Sequence, residues 1–403
     1  SIWLNCGFLA RRRHDVDFYV THDFTSKSTL VKMSISDEYL YDIVSKVAAK
    51  CNLKNWRHSV KSFEHIGQNY FGIVIPVSLI DSDKVIHIVL KLAPTDERYR
   101  VSGAVTLFFQ REIFVYSKLL HNYCLIQRTF PLISQFIIPK LYYTCEEYCK
   151  EAMALEDMTQ KGYKPYVNET FLDLDHIVLA LKAIARLHGL SFILQKKDPQ
   201  LYDEVEKVCI PLTEANNKRF MEIMIDRLGK ALVKFEGHGD IWKENILQIL
   251  LNEIIITFSK NINKIISWFL NEFSNYLFFN LTCVIDYQTT RLTSPAFDVL
   301  YLIITSTDSL LRKEHYNKLI NTYYNTLDET LKLGDLNTTV YSFDDFKFDL
   351  KAVAPTCLIV ANTALWLSNG LCTYLIVFFC KLNKHFDQFV VSKLNVRNGF
   401  LFL

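Results

Sequence analysis

His238-Gly239-Asp240-Ile241-Trp242-Lys243-Glu244-Asn245, continued by Ile246-Leu247-Gln248, is the stretch on which the reading of this chain turns. An Asp and an Asn five positions apart on a loop can divide the work of phosphoryl transfer. The Asp240 carboxylate would accept the proton of an attacking hydroxyl, and the Asn245 amide oxygen would ligate Mg²⁺ beside nucleotide phosphates. Downstream, Cys283-Val284-Ile285-Asp286-Tyr287-Gln288 is a short apolar strand ending in Asp. A carboxylate at that point can hold a Mg²⁺ that bridges phosphates. An isolated Asp-x4-Asn is ordinarily a solvated turn. The His-Gly before it, the Ile-Leu after it and the strand-Asp downstream are what give it meaning.

Two residues further upstream extend the set. Lys91 ends Ile86-His87-Ile88-Val89-Leu90-Lys91, an apolar strand in which a lysine is costly unless paired. Glu112 lies on an amphipathic helix expected over Thr106–Leu120, among Phe108, Phe109, Ile113 and Val115. A lysine on a strand and a glutamate on the next helix can pair, leaving the ammonium aimed at the α/β-phosphates. The plain alternatives are a snorkelling edge-strand lysine and a solvated helix face. The ordered set Lys91, Glu112, Asp240, Asn245, Asp286 favours the chemical reading.

Around these residues the pattern is strand-rich first and helical afterwards. A helix is expected over Ser36–Ala49, and an antiparallel hairpin from Phe71–Leu79 and Val85–Leu92 about Ile80–Lys84. Lys140–Cys145 and Glu151–Leu155 read as two more strands. After Met158 come helices over Leu174–Leu194, Asn217–Val233, Val299–Thr305, His315–Leu331 and Phe343–Leu350. The boundary between the two regimes falls at Met158–Pro165. One segment is anomalous: of the 33 residues 249–281, 21 are Ile, Asn, Phe, Lys or Tyr, with no Gly, Pro, Ala or Val. It reads as an atypical insertion, helical by default.

Composition narrows the function classes. With 45 Lys+Arg against 43 Asp+Glu, the net charge of +2 gives no chain-wide attraction to nucleic acid or anionic membrane. Half the residues are hydrophobic and 14% aromatic, which excludes a mainly disordered chain. Only 12 of 403 residues are Gly, below the usual ~7%, which weighs against a Gly-rich phosphate loop. Ten scattered cysteines, without a zinc-like pattern, fit reduced thiols and a cytoplasmic location. The charge-free run of 24 residues from Cys357 to Cys380 is long enough to cross a bilayer. Asn362, Thr363, Ser368, Asn369 and Gly370 dilute it, so a buried helix or helical pair is expected instead of a membrane span. The first Met is Met33, and residues 1–32 are read as an extension upstream of the native start.

The quoted motifs together resemble the insect ecdysteroid kinase-like proteins, relatives of choline kinases and aminoglycoside phosphotransferases. The resemblance runs from about Trp56 to Leu350. It is carried by GQNYFGIV, IVLKLAP, FQREIFVYSKLL, ALEDM, LDLDHIVLALKAIARLHGLS, HGDIWKENIL, VIDYQTTRLTSPAFDVLYLIITSTD, LRKEHYNKLINTYY and YSFDDFKFDL. It implies an α+β, two-lobed protein-kinase-like fold, with a small antiparallel-sheet N-lobe (33–157) and a larger, mainly helical C-lobe (158–403). It implies an ATP- and Mg-dependent phosphotransferase acting on a hydroxyl of a small molecule, an ecdysteroid or a xenobiotic. Lys91 and Glu112 would lock the lobes, and Gly67, Asn69 and Tyr70 would cover the phosphates. Glu156-Asp157-Met158 would be the hinge meeting adenine. Asp240 would be the base, and Asn245 and Asp286 would hold Mg²⁺. His238 would brace the catalytic loop and Asp298 the larger lobe.

The chain departs from that pattern in two places. Phe71-Gly72 stand where the family usually has small residues, often Ala-Ser, so a hydroxyl contact to phosphate is missing. Asn245 and Asp286 are 41 positions apart, far more than two strands and a turn require. The surplus is either a surface insertion or an AT-rich intron translated in frame, and the residue bias favours the second. A pseudokinase, a catalytically impaired kinase-like binding or scaffold protein, is therefore the competing reading. A protein-kinase role is disfavoured because Ser294-Pro295-Ala296 follows Asp286 too closely for a long activation loop.

Overall fold

A computed structural model describes residues 18–21, 30–33, 36–60, 72–164, 166, 171–210, 265–268, 276–278 and 281–369. Phe18–Thr21 (β1) and Leu30–Met33 (β2) pair as an antiparallel hairpin. Helix α1 (Asp37–Lys50) starts where Ser36 accepts the Tyr39 N–H, with Asp37 and Glu38 in its first turn. Its Leu40, Ile43, Val44, Val47 and Ala48 are all buried.

That apolar stripe lies on a five-stranded antiparallel sheet of order β3-β4-β5-β7-β6: Arg57–Val60, Ile73–Ile80, Val85–Leu92, Ala152–Glu156 and Leu141–Cys145. Strand alternation divides the two faces. Ile73, Ile75, Val77 and Leu79 of β4, with Ile86, Ile88, Leu90 and Leu92 of β5, form one core with α1. The other face carries the register pairs Val74–Lys91, Pro76–Val89 and Ser78–His87. Lys91 is therefore fixed on the face away from α1 by the same alternation that buries its neighbours.

After the short helix α2 (Glu97–Ser102), helix α3 (Val105–Phe114) joins the two cores of the molecule. Phe109 belongs to the sheet core, whereas Ile113, Phe114, Val115, Tyr116, Leu119 and Leu120 belong to the core of the helical lobe. Glu112 sits at the crossover. A wide, π-helical turn follows over Val115–Leu119, and α4 (Leu120–Ile126) continues the rod. The Ser117 hydroxyl donates to the Ile113 carbonyl at 2.6 Å, competing for an acceptor the α-helical ladder would use.

The larger lobe is built around α5 (Leu174–Lys197), capped by Asp173 and buried along most of its length. α5 is long and apolar enough to cross a membrane, the only such helix among the described residues, but 78% of its apolar window is buried inside the protein. α6 (Pro199–Val208) follows, with Asp198 as cap and Pro199 in its first turn. β8 (Ile265–Trp268) pairs with β11 (Thr290–Thr293), and β9 (Tyr276–Phe278) with β10 (Leu281–Cys283). Helices α7 (Pro295–Ser306), α8 (Ser309–Leu333) and α9 (Phe343–Asn369) complete the lobe.

The hairpin, both later strands and the α1, α5 and α7 helices lie where the sequence pattern places them, within a few residues at their ends, while α8 begins at Ser309, well before the expected His315. Two expectations change. The described parts of 249–281 are strand, not helix, as the β-branched and aromatic content of Ile265–Trp268 suits. The helix beginning at Phe343 does not stop at Leu350 but continues through Cys357 to Asn369, with Val353, Cys357, Val360 and Ala361 buried. The helix expected over Asn217–Val233 lies outside the described residues.

Candidate active site

Lys91, Glu112 and Asp286 converge from the sheet, from α3 and from the loop after β10. Lys91 Nζ donates to Glu112 Oε2 at 2.6 Å and to Asp286 Oδ1 at 2.9 Å. All three side chains are nearly inaccessible, at 7%, 2% and 7% exposure. A third donation from Lys91 reaches Gln288 Oε1 at 3.4 Å, and Gln288 Nε2 donates to Asp286 Oδ2 at 3.2 Å. Glu112 also accepts the backbone N–H of Tyr287.

Among the described residues the charge balance is uneven: one ammonium faces two carboxylates. Burial pushes the Glu112 carboxyl up to about 7; Lys91 opposes the rise and the neighbouring Asp286 charge adds to it. Burial works against the Lys91 ammonium too, but the two carboxylates outweigh it and raise its pKa above the ordinary lysine value. A site with a surplus negative charge and hard oxygen donors suits a divalent cation. Mg²⁺ is commonly held by one or two carboxylates together with substrate phosphates. Asp286 can supply such a carboxylate. Among the described residues no group of three or more His, Cys, Asp or Glu forms a self-sufficient metal site.

Asp286 is held in a left-handed backbone conformation, φ 69°. For a non-glycine residue this costs roughly 1–2 kcal/mol, somewhat less for Asp. The turn behind it is over-determined. Tyr287 O accepts from the Thr290 N–H at 3.1 Å and hydroxyl at 2.7 Å, and the Tyr287 hydroxyl donates to Val284 O at 2.9 Å. The Tyr287 ring also meets Tyr116 edge-on.

Beside Lys91 the same sheet face offers Val74, Val89 and Leu155, all partly buried, and Pro76, which is buried. At the hinge, the N–H groups of Glu156 and Asp157 are taken by Lys140 O and His87 O, and Met158 O accepts from Tyr163. The Met158 N–H opens a 3₁₀ turn, where no acceptor exists within that turn. Asp298 lies at the start of α7, 1% exposed, 3.3 Å from His188 Nε2, and His188 Nδ1 bonds the Tyr323 hydroxyl at 2.8 Å. It ties α5, α7 and α8 together, far from the Lys91 cluster in role. Gly67, Asn69, Tyr70, His238, Asp240 and Asn245 lie outside the described residues. The sequence reading passed over Gln288, Arg111 and the His188–Asp298 contact. Gln288 stands two positions after a chosen site residue, which was the available signal.

Residues 66–237 and 274–336, more than half of the chain, match the ecdysteroid kinase-like family. Lys91, Glu112 and Asp286 lie within the matched stretches, and Asp240 and Asn245 in the gap between them. No curated protein matches the chain significantly. Among solved structures, the ethanolamine kinase of Plasmodium vivax is 14% identical, covering 82% of this chain and 91% of its own at a TM-score of 0.38. The GDP complex of aminoglycoside 2'-phosphotransferase-IIIa is 12% identical, covering 85% and 99% at 0.41. An aminoglycoside phosphotransferase of Alicyclobacillus acidocaldarius is 11% identical, covering 89% and 99% at 0.36. The extent of the family match decides membership: this chain belongs to the ecdysteroid kinase-like family.

Proposed function

We propose that this protein is an ATP- and Mg²⁺-dependent phosphotransferase that phosphorylates a hydroxyl of a small molecule, an ecdysteroid or a hydroxylated xenobiotic. The observation that carries the reading is the buried Lys91–Glu112–Asp286 cluster in a member of a kinase-like family. Glu112 fixes the Lys91 ammonium, which neutralises charge on the nucleotide phosphates. Asp286, with Asn245, would hold Mg²⁺, which when bound would supply positive charge to neutralise the nucleotide phosphates. The apolar face of Val74, Pro76, Val89 and Leu155 forms a ceiling suited to adenine, and the Met158 N–H a donor to its edge. Asp240 accepts the acceptor hydroxyl's proton as it attacks in line. We place this chemistry in the cytoplasm.

The test is phosphate transfer from Mg-ATP by the purified full chain across hydroxylated steroids, plant glycosides and choline-like acceptors. Transfer to one of them, lost in Asp240→Ala and Asp286→Ala while both variants stay folded, is the expected result. Full turnover by Asp286→Ala would remove its metal role. Tight Mg-ATP binding with no transfer to any acceptor would point instead to a nucleotide-binding relative without catalysis.

A further inference from the structure

Gln288 is buried at 3% exposure against the two groups proposed to meet nucleotide and metal, and neither the family assignment nor the charge argument gives it a role. Its amide has one donor end and one acceptor end, and both are used within the cluster. Oε1 accepts from Lys91 at 3.4 Å, and Nε2 donates to Asp286 Oδ2 at 3.2 Å. The orientation is dictated by chemistry, since an ammonium only donates and an ionised carboxylate only accepts. A neutral amide can bond both without changing the charge of the cluster. A third acid would enlarge the surplus, and a hydrocarbon would leave both charged neighbours under-bonded.

The backbone of Gln288 is also anchored. Arg111 Nη1 donates to its carbonyl at 3.1 Å, and Arg111 Nη2 donates to the Ile210 carbonyl at 2.6 Å. Arg111 precedes Glu112 on α3, so adjacent residues of one helix fix Lys91 and the peptide bearing Gln288. The three N–H protons of Lys91 are thus committed to Glu112, Asp286 and Gln288, and the bond to Gln288 is the longest and the only one to an uncharged acceptor. It is the contact given up at least cost when a phosphate oxygen approaches.

We infer that Gln288 is a positioning residue: its Nε2 aims the Asp286 carboxylate, while its Oε1 parks the Lys91 proton that a phosphate oxygen takes over. This rests on the phosphotransferase reading above. Groups that orient a metal's ligands typically account for 10–100-fold in metal affinity or activity.

The experiment uses full-length wild type, Gln288→Met and Gln288→Asn. Mn²⁺ affinity is read by electron paramagnetic resonance in the presence of a non-hydrolysable ATP analogue, alongside thermal melting and steady-state kinetics. Gln288→Met keeps the volume and removes both hydrogen bonds. Gln288→Asn keeps the amide on a stem too short to reach both partners. Weakening of Mn²⁺ by about 10–100-fold in Gln288→Met, with a smaller loss in Gln288→Asn and melting close to wild type, is the expected result. In turnover, the KM for Mg-ATP rises more than kcat falls. Wild-type Mn²⁺ affinity in both variants would overturn the inference and leave a space-filling side chain. If Gln288→Met fails to fold, Gln288→Asn decides alone. A wild-type protein that binds neither Mn²⁺ nor the analogue would overturn the phosphotransferase reading as well, so the two failures are distinct.

Discussion

Arg100 and Glu151 make a buried ion pair in the same lobe as the Lys91 cluster, and the two are built to different ends. Arg100 and Glu151 are one cation and one carboxylate, with side chains 1% and 0% exposed. Both Glu151 oxygens are bonded by the guanidinium, whose remaining donations go to Pro94 O and the Thr106 hydroxyl, and Tyr148 covers its face. Lys91 instead faces two carboxylates, and no second cation pairs with them among the described residues. A balanced, bidentate pair leaves no charge over. A buried cluster with leftover charge carries a cost that binding a cation relieves. The difference separates a structural clamp from a working site more sharply than burial does.

The strongest way to break that comparison is to delete each cation. Lys91→Met leaves two buried acids side by side, with an expected loss of about 3–5 kcal/mol in chemical denaturation and no measurable phosphate transfer. Arg100→Met should cost about the same stability by stranding Glu151, yet its folded fraction should bind nucleotide like wild type. Equal loss of nucleotide affinity in both variants would erase the distinction. Deleting whole pairs sharpens it. Arg100→Met with Glu151→Leu should return to within about 1–2 kcal/mol of wild type and stay active. Lys91→Met with Glu112→Leu should recover part of the stability and none of the activity.

A smaller effect is expected at Gly72, where an added Cβ would lie 2.8 Å from Leu92 O and 3.2 Å from Phe109 Cζ. Gly72→Ala should cost about 1–3 kcal/mol in thermal unfolding. Because Phe109 shares a helix with Glu112, it should also raise the KM for ATP. An unchanged KM would show that the helix absorbs the contact without moving Glu112. A further effect is in pH. Folded Glu112, pushed up to about 7 from 4.5, holds a proton that the unfolded chain releases. The stability this gives the nucleotide-free protein is complete below about 4.5 and is lost as pH rises through about 7. Asp286→Asn removes the neighbouring charge and should flatten that fall. Denaturation midpoints taken from about pH 5 to about pH 8 check it, and an unaltered slope would mean the acids do not interact.

Much of this was legible because alternation and amphipathicity are local. Lys91 could be read as buried from five apolar neighbours, and Glu112 from the helix stripe around it. The partnership of Lys91 with Asp286 joins residues 195 positions apart and could be reached only through the chemistry expected of both. The edge strand Arg57–Val60 escaped notice because it is mostly exposed and mostly polar, so no period-2 pattern exists to see. The Asp198-Pro199 start of α6 carried a readable signal that was passed over. Gln288 had no signal of its own type, since its importance comes from where a strained turn aims it.

The wide turn at Val115–Leu119 has a consequence for how this site can change. Each residue in an α-helix advances the face by about 100°. The turn therefore phases Glu112, on one side, against Leu119 and Leu120, which are seated in the other core. Tightening the turn to ordinary α-helix with all its residues kept would rotate Glu112 by about 100° relative to the larger lobe, whereas deleting one residue there would restore an ordinary helix with the two flanks still in phase. Insertion or loss of a codon in the α-helical turns on either side, where no wide turn takes up the change, is thus a mutational route to an inactive descendant with every motif intact.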